Sequence, residues 1–186
     1  MCGSIFHTAM YHKPKALLRR SVINNLESAR AERGIKPKSR KKKTPRAIAK
    51  DKAWAAFSMY IRIRDSLATT GTTDFCVCIT CAVRGHTKPK EFRHIQAGHA
   101  VGGRGNAVLF HEEITNGQCD YCNKQGKFGL SGDYGNYAIA LIKRYGLEHT
   151  EELLRLKGKD KQYKIHDFIE IAAKYKQMTI DLIAQA

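Results

Sequence analysis

Two C-x-x-C pairs, Cys78-Ile-Thr-Cys81 and Cys119-Asp-Tyr-Cys122, constrain this chain more than any other feature in it. Four thiolates at knuckle spacing complete a tetrahedral shell for Zn²⁺ and leave no open coordination position. Such a shell holds a fold together and does no chemistry of its own. Cys78, Cys81, Cys119 and Cys122 are therefore read as structural zinc ligands. Ala97-Gly98-His99, between the pairs, and Asn123, directly after the second, remain for another role.

The 186 residues have room for one domain plus extensions, and 42% apolar residues can build a modest core. Charge is distributed unevenly. The chain carries a net +16, of which residues 1–50 hold +12, with fourteen Lys and Arg set against Glu27 and Glu32. A block of one sign is the footprint of a polyanion partner, bound by neutralising phosphates and releasing counterions. Solubility alone requires no such segregation. Met1–Lys13 has no charged-then-apolar leader pattern, and no apolar run is long enough to span a bilayer. The cysteine pairs thus read as metal ligands in a reducing compartment, with Cys2 and Cys76 as ordinary thiols.

Along the chain, Lys15–Arg33 places Leu17, Leu18, Val22 and Leu26 near one face of a short helix. The run Lys36-Pro37-Lys38-Ser39-Arg40-Lys41-Lys42-Lys43 has self-repelling charge and no apolar periodicity, and reads as a basic arm. From Ala47 to Leu67, Trp54, Phe57, Tyr60 and Ile61 give an apolar helical stripe, ended by the turn residues Thr69–Thr73. Phe92–Val101 reads as a strand and Ala107–Phe110 as a second, joined through the glycine-rich turn at 102–106. A short helix is expected near Cys119–Gln125. Further helices are expected at Tyr137–Tyr145, at Glu151–Leu156 with Thr150 as N-cap, and over Gln162–Ile183. The fold class is α+β: a small zinc-stapled ββα-metal core flanked by helices, with a basic N-terminal extension. The divisions fall at 1–46 for the arm, 47–146 for the core with its leading helix, and 147–186 for the C-terminal helices.

The order knuckle, strand, His, turn, strand, knuckle, short helix suits phosphodiester hydrolysis. A neutral His at the strand end deprotonates water, and a divalent ion held from the helix neutralises charge on the scissile phosphate. Trp54…Phe57-Ser58-Met59-Tyr60-Ile61-Arg62-Ile63-Arg64-Asp65, the first knuckle and Ala97-Gly98-His99 occur in order. Leu109-Phe110-His111-Glu112, Gly117-Gln118-Cys119-Asp-Tyr-Cys122-Asn123, Ser131-Gly132 and Tyr137…Leu141-Ile142-Lys143-Arg144-Tyr145-Gly146 come after them. Over about residues 50–180 this joint pattern resembles the bacteriophage NinG (Rap) recombination proteins, a branch of the HNH (His-Me finger) nuclease superfamily.

The resemblance implies a metal-dependent endonuclease acting on branched recombination intermediates such as Holliday junctions and D-loops, in the cytoplasm of a phage-infected bacterium. It implies His99 as general base and Asn123 as a contact to a catalytic Mg²⁺ or Mn²⁺. His99 itself, His94 and Glu112 are the candidates for a strand-side contact to that ion. Ile114 stands where many HNH proteins carry an Asn, with Asn116 the candidate substitute in the catalytic set. Gln96 and Gly98 stand where an acidic residue often precedes the active His. Lys41, Lys42, Lys43, Arg93 and Arg104 are the candidate DNA contacts. Symmetric resolution of a junction would favour a homodimer. The competing reading, from another class, is a non-catalytic zinc-knuckle nucleic-acid-binding module in recombination or regulation, its catalytic site lost at Ile114 and Gln96.

Removing residues 1–46 should weaken DNA binding broadly and flatten its salt dependence, with little effect on which DNA structure is chosen, because flexible Lys and Arg neutralise phosphates without reading geometry. Binding isotherms of full and truncated chains across salt concentrations check this. Unchanged isotherms would give the arm another role.

Overall fold

The computed structural model describes residues 28, 32–34, 42–102, 105–127 and 129–186. The chain divides into two units, Met1–Lys42 and Lys43–Ala186, and the second carries both cysteine pairs and His99. The expected Lys15–Arg33 helix lies outside the described residues, save Ser28 and Glu32, which are helical, and Arg33 in the turn after them.

Helix α1, Pro45–Thr70, starts where Thr44 accepts a hydrogen bond from the Ala47 N–H and where Pro45 needs no donor. It stops at Gly71, whose left-handed φ of 69° lets its N–H reach back to the Leu67 carbonyl. Its buried face carries Ala49, Ala53, Ala56, Phe57, Tyr60 and Ile61. The small residues let a partner helix approach closely. That partner is α7, Ile165–Ala184, which packs along α1 with Phe168 and Tyr175 turned inward. Phe57 sits between them, edge-on to both Tyr175 and Phe110 and fully buried. The expected C-terminal helix is thus present, and it belongs to the same unit as the core.

Two small antiparallel sheets complete the unit. The first pairs β1, Phe75–Cys76, with β2, Lys90–Glu91, and a short helix α2, Ile79–Val83, lies between them in sequence. The second pairs β3, Ile95–His99, with β4, Thr115–Cys119, in a register that sets His99 against Thr115 and Gly98 against Asn116. Between these strands Asn106–Leu109 forms a short helix, α3. Helix α4, Asp120–Asn123, leaves β4 directly. Helix α5, Tyr134–Tyr145, packs against α2, and helix α6, Leu147–Arg155, comes next. Tyr137, Leu141, Ile114 and Val108 form the core on that side.

Three expectations need correction. Ala107–Phe110 is not a strand but the region of α3, and the true second strand is the polar run Thr115–Cys119. A four-residue apolar run does not distinguish helix from strand, and all five residues of β4 are buried, so no alternation marks it. Residues 92–94 form a 3₁₀ turn before β3, with Phe92 lying under the Arg62 guanidinium at 3.8 Å. Thr150 is inside α6 and donates to the Gly146 carbonyl, because the helix begins earlier, at Leu147.

Arg64 and Asp65 lock this arrangement. The Arg64 guanidinium pairs with Asp65 at 2.8 Å and donates to the carbonyls of Glu112 and Thr115, while the Gly117 N–H donates to Asp65. Burial opposes the Arg64 charge, but Asp65 beside it wins and holds the group above its usual range. The start of β4 is thereby pinned to α1.

Replacing Phe57 by Ala should cost about 3–5 kcal/mol, the usual loss for a buried aromatic. Ile169→Ala on the exposed side of α7, where Ile169 is 60% accessible, should change stability by under about 0.5 kcal/mol. Denaturant unfolding of the two variants checks which face of α7 holds the unit together.

Candidate functional site

Each knuckle is a strand end followed by the first turn of a helix. Cys78 is the residue before α2 and Cys119 the residue before α4, so Cys81 and Cys122 fall one turn into those helices. The four sulfurs lie within 4.8 Å of one another and all four residues are buried. Cys81 Sγ is 3.5 Å from Cys122 Sγ and 3.8 Å from Cys119 Sγ. With Zn–S near 2.3 Å, a regular tetrahedron has edges of about 3.8 Å. The cluster can therefore hold a metal ion such as zinc.

The four thiols are electrostatically coupled to one another. The Cys119 thiol donates toward Cys78 and holds it down to about 4, while burial and then the Cys78 charge push Cys81 up to about 11. The hydrogen bond to Cys78, and then burial, also raise Cys119. One negative charge is stabilised and the next opposed, a conflict that a divalent cation removes. Arg84 Nη2 adds a donor at 3.0 Å from Cys122 Sγ, and its other nitrogen is anchored by Asp133. Cys76 is outside the set: burial pushes its thiol up to about 11, as suits an ordinary core cysteine.

His99, at the end of β3, is 9% exposed and is oriented from two sides. Its ring stacks on Trp54 of α1, with centroids 5.2 Å apart and planes at 20°. Its Nε2 lies 3.2 Å from the Leu109 carbonyl oxygen. A carbonyl only accepts, so Nε2 is the donor in this contact. Gly98 precedes it for a steric reason: a Cβ there would sit 2.3 Å from Gln118 Oε1 and 3.0 Å from Gln118 Cβ.

His99 and Asn123 line one cavity of about 600 Å³, together with Gln96, Lys124, Ser131 and Tyr134. Asn123 Nδ2 donates to Gln96 Oε1 at 2.5 Å, and Gln96 Nε2 donates to Asp120 Oδ1 at 2.6 Å. This relay fixes the Asn123 amide, with its nitrogen turned to Gln96 and its oxygen left as the acceptor. Asp120 also meets His94 at 3.3 Å and Lys124 at 3.7 Å. Sequence reasoning gives Asp120 no role. Its position at the start of α4, one residue after a ligand, is the available signal.

The other candidate residues stand elsewhere. Glu112 accepts hydrogen bonds from Tyr60 and Tyr175, whose hydroxyls are raised by burial and by that carboxylate, and it does not line the cavity. Asn116 is fully buried, with its oxygen accepting from Arg144 at 2.6 Å and Arg64 at 3.3 Å, and does not line the cavity either. Ile114 is a core residue. His94 is exposed on the outer side of Asp120. Arg93 is exposed and paired with Glu91, and Lys43 with Asp51. Lys42 is exposed, while Lys41, Arg104 and Cys2 lie outside the described residues.

The model of the family described as Bacteriophage Lambda NinG protein matches residues 1–184, and the chain therefore belongs to the NinG family. No curated protein and no solved structure matches it. Among the described residues, no helix is long and apolar enough to cross a membrane.

The preparation should contain one zinc ion per chain, and strong chelation should unfold the region around residues 75–130, because a structural site contributes folding free energy directly. Cys119→Ser should lose metal and structure together. Elemental analysis with circular dichroism checks both, and a folded, zinc-free wild-type preparation would rule the site out.

Proposed function

We propose that this NinG-family chain is a metal-dependent DNA endonuclease of the HNH type, cutting branched recombination intermediates during phage infection of a bacterial host. The observation that carries this reading is the shared cavity of His99 and Asn123, built on a two-stranded hairpin and the short helix that leaves it, beside a four-cysteine metal site. The zinc-stapled ββα reading of β3, β4 and α4 rests on the same geometry.

In this mechanism the neutral His99 takes a proton from water at Nδ1. The Leu109 carbonyl fixes the tautomer, and the Trp54 face holds the ring plane. The activated water attacks phosphorus in line as the bond to the 3′ oxygen breaks, and that oxygen takes a proton from solvent, leaving a 5′-phosphate and a 3′-hydroxyl. A divalent ion such as Mg²⁺ or Mn²⁺, when bound, neutralises charge on the scissile phosphate. The cavity fits that ion only together with DNA, since its lining offers amide and hydroxyl oxygens but no carboxylate. Asn123 Oδ1 would hold it from α4, with phosphate oxygens and water completing its shell. Gln96 and Asp120 position Asn123. Lys124, on the cavity wall, suits a phosphate contact.

Asn116 belongs to the scaffold in this reading. Accepting from two guanidiniums, it ties α5 and α1 to β4. Glu112 likewise serves α1 and α7 through its two tyrosines.

His99→Ala should keep zinc, fold and DNA affinity while losing cleavage by about two to four orders of magnitude, the contribution of a positioned general base. Asn123→Ala should lose activity that raised Mg²⁺ or Mn²⁺ partly restores, and His99→Ala should show no such rescue. Full activity in zinc-loaded His99→Ala would overturn the mechanism. Wild-type protein that binds branched DNA and leaves it intact would favour a non-catalytic zinc-knuckle module.

A further inference from the structure

Helix α4 has two sides. Asn123 faces the His99 cavity, whereas Tyr121, two residues earlier and so about 200° around the helix, lines a different groove. That groove, of about 840 Å³, is formed with the loop after α2, chiefly by Arg84, His86, Lys88, Lys90 and Leu130. No acidic residue lines it. Lys88 and Lys90 are exposed, and among the described residues neither forms an ion pair. Arg84 is already spent on Cys122 and Asp133, so it forms the wall and leaves the two lysines as the available cations.

Tyr121 is 57% exposed and Leu130 beside it 38%. The backbone joins the two: the Leu130 N–H donates to the Tyr121 carbonyl at 2.9 Å, and the Gly132 N–H to that of Cys122 at 2.8 Å. An exposed ring on a backbone held in place, among uncompensated lysines, is the chemistry that holds single-stranded nucleic acid, with stacking on the base and cations on the backbone. A paired base is already stacked within its duplex and offers no such face.

We propose that this groove is a second DNA subsite, taking an unpaired nucleotide beside the cleaved phosphate. Its base stacks on Tyr121 and its backbone is neutralised by Lys88 and Lys90. The inference rests on the endonuclease reading and supplies its selectivity. A strand leaving Tyr121 crosses only the width of α4, roughly 10 Å, to reach His99 and Asn123. Unpaired bases occur at branch points, so recognition on one side of α4 directs cutting on the other.

Binding without divalent cation separates this subsite from catalysis. Full-length protein is titrated by fluorescence anisotropy against an oligo-dT strand, a fork and a linear duplex across salt concentrations. Tyr121→Ala should weaken strand and fork binding roughly 5- to 100-fold and duplex binding less than about twofold, and Tyr121→Trp should restore the difference. Lys88→Gln with Lys90→Gln should lower the log–log salt slope on oligo-dT by about 1.4, the share of two phosphate contacts on a single strand. Equal losses on all three DNAs, or none, would overturn the proposal. If Tyr121→Ala loses zinc, the lysine variant decides, since Lys88 on the loop and Lys90 at the start of β2 are both exposed. Wild-type protein showing this Tyr121-dependent preference while cutting nothing would overturn the endonuclease reading and keep the subsite.

Discussion

The four-cysteine cluster is the constraint on which the rest of the site depends. It joins two stretches of chain far apart in sequence, the residues leading into α2 and the end of β4 where α4 begins. A two-stranded sheet is marginal in water and a four-residue helix does not persist alone. Neither β3–β4 nor α4 has the length to hold itself. Sulfur–sulfur spacings of 3.5 and 3.8 Å suit a tetrahedral metal shell, and burial of all four residues shields it from solvent. With both knuckles fixed, Asn123 is held one residue beyond a ligand, and His99 lies on the strand paired to the one that ends at Cys119.

Orientation of His99 comes from a different source. Trp54 belongs to α1, which is held by its packing on α7, and the Leu109 carbonyl belongs to α3, in the connection between the strands. Arg64 and Asp65 then fix β4 to α1 through carbonyls, the Asn116 amide and the Gly117 N–H. The scaffold therefore has two parts: the cysteine cluster sets the helix side of the cavity, and aromatic packing sets the histidine side. Loss of either displaces one wall and leaves the other, so variants in the α1–α7 core can move His99 while the cysteine cluster stays intact.

The knuckles, the long first helix and the last helix are legible in the sequence because each rests on a local signal: cysteine spacing, an apolar stripe, a capping turn. The second strand is not. Thr115-Asn-Gly-Gln-Cys119 is polar and wholly buried, so tertiary hydrogen bonds, not periodicity, make it a strand. His99 and Asn123 stand out by their places relative to the knuckles, and they line one cavity. Glu112 and Asn116 stand out in the same way, but they engage partners on α1, α5 and α7 that no local pattern reveals. In the sequence, Gln96 reads as the loss of an acid. In three dimensions it passes a hydrogen bond between Asn123 and Asp120, so the carboxylate sits on the helix instead of the strand.

The most direct measurement is product analysis of the wild-type protein on a four-way junction labelled in turn at each 5′ end, with Mg²⁺ and with EDTA. Mg²⁺-dependent nicks close to the branch, bearing 5′-phosphate and religatable 3′-hydroxyl ends, are the expected result. A junction that is bound but uncut by zinc-loaded protein at every Mg²⁺ and Mn²⁺ concentration would contradict the assignment of His99 and Asn123 to phosphodiester hydrolysis.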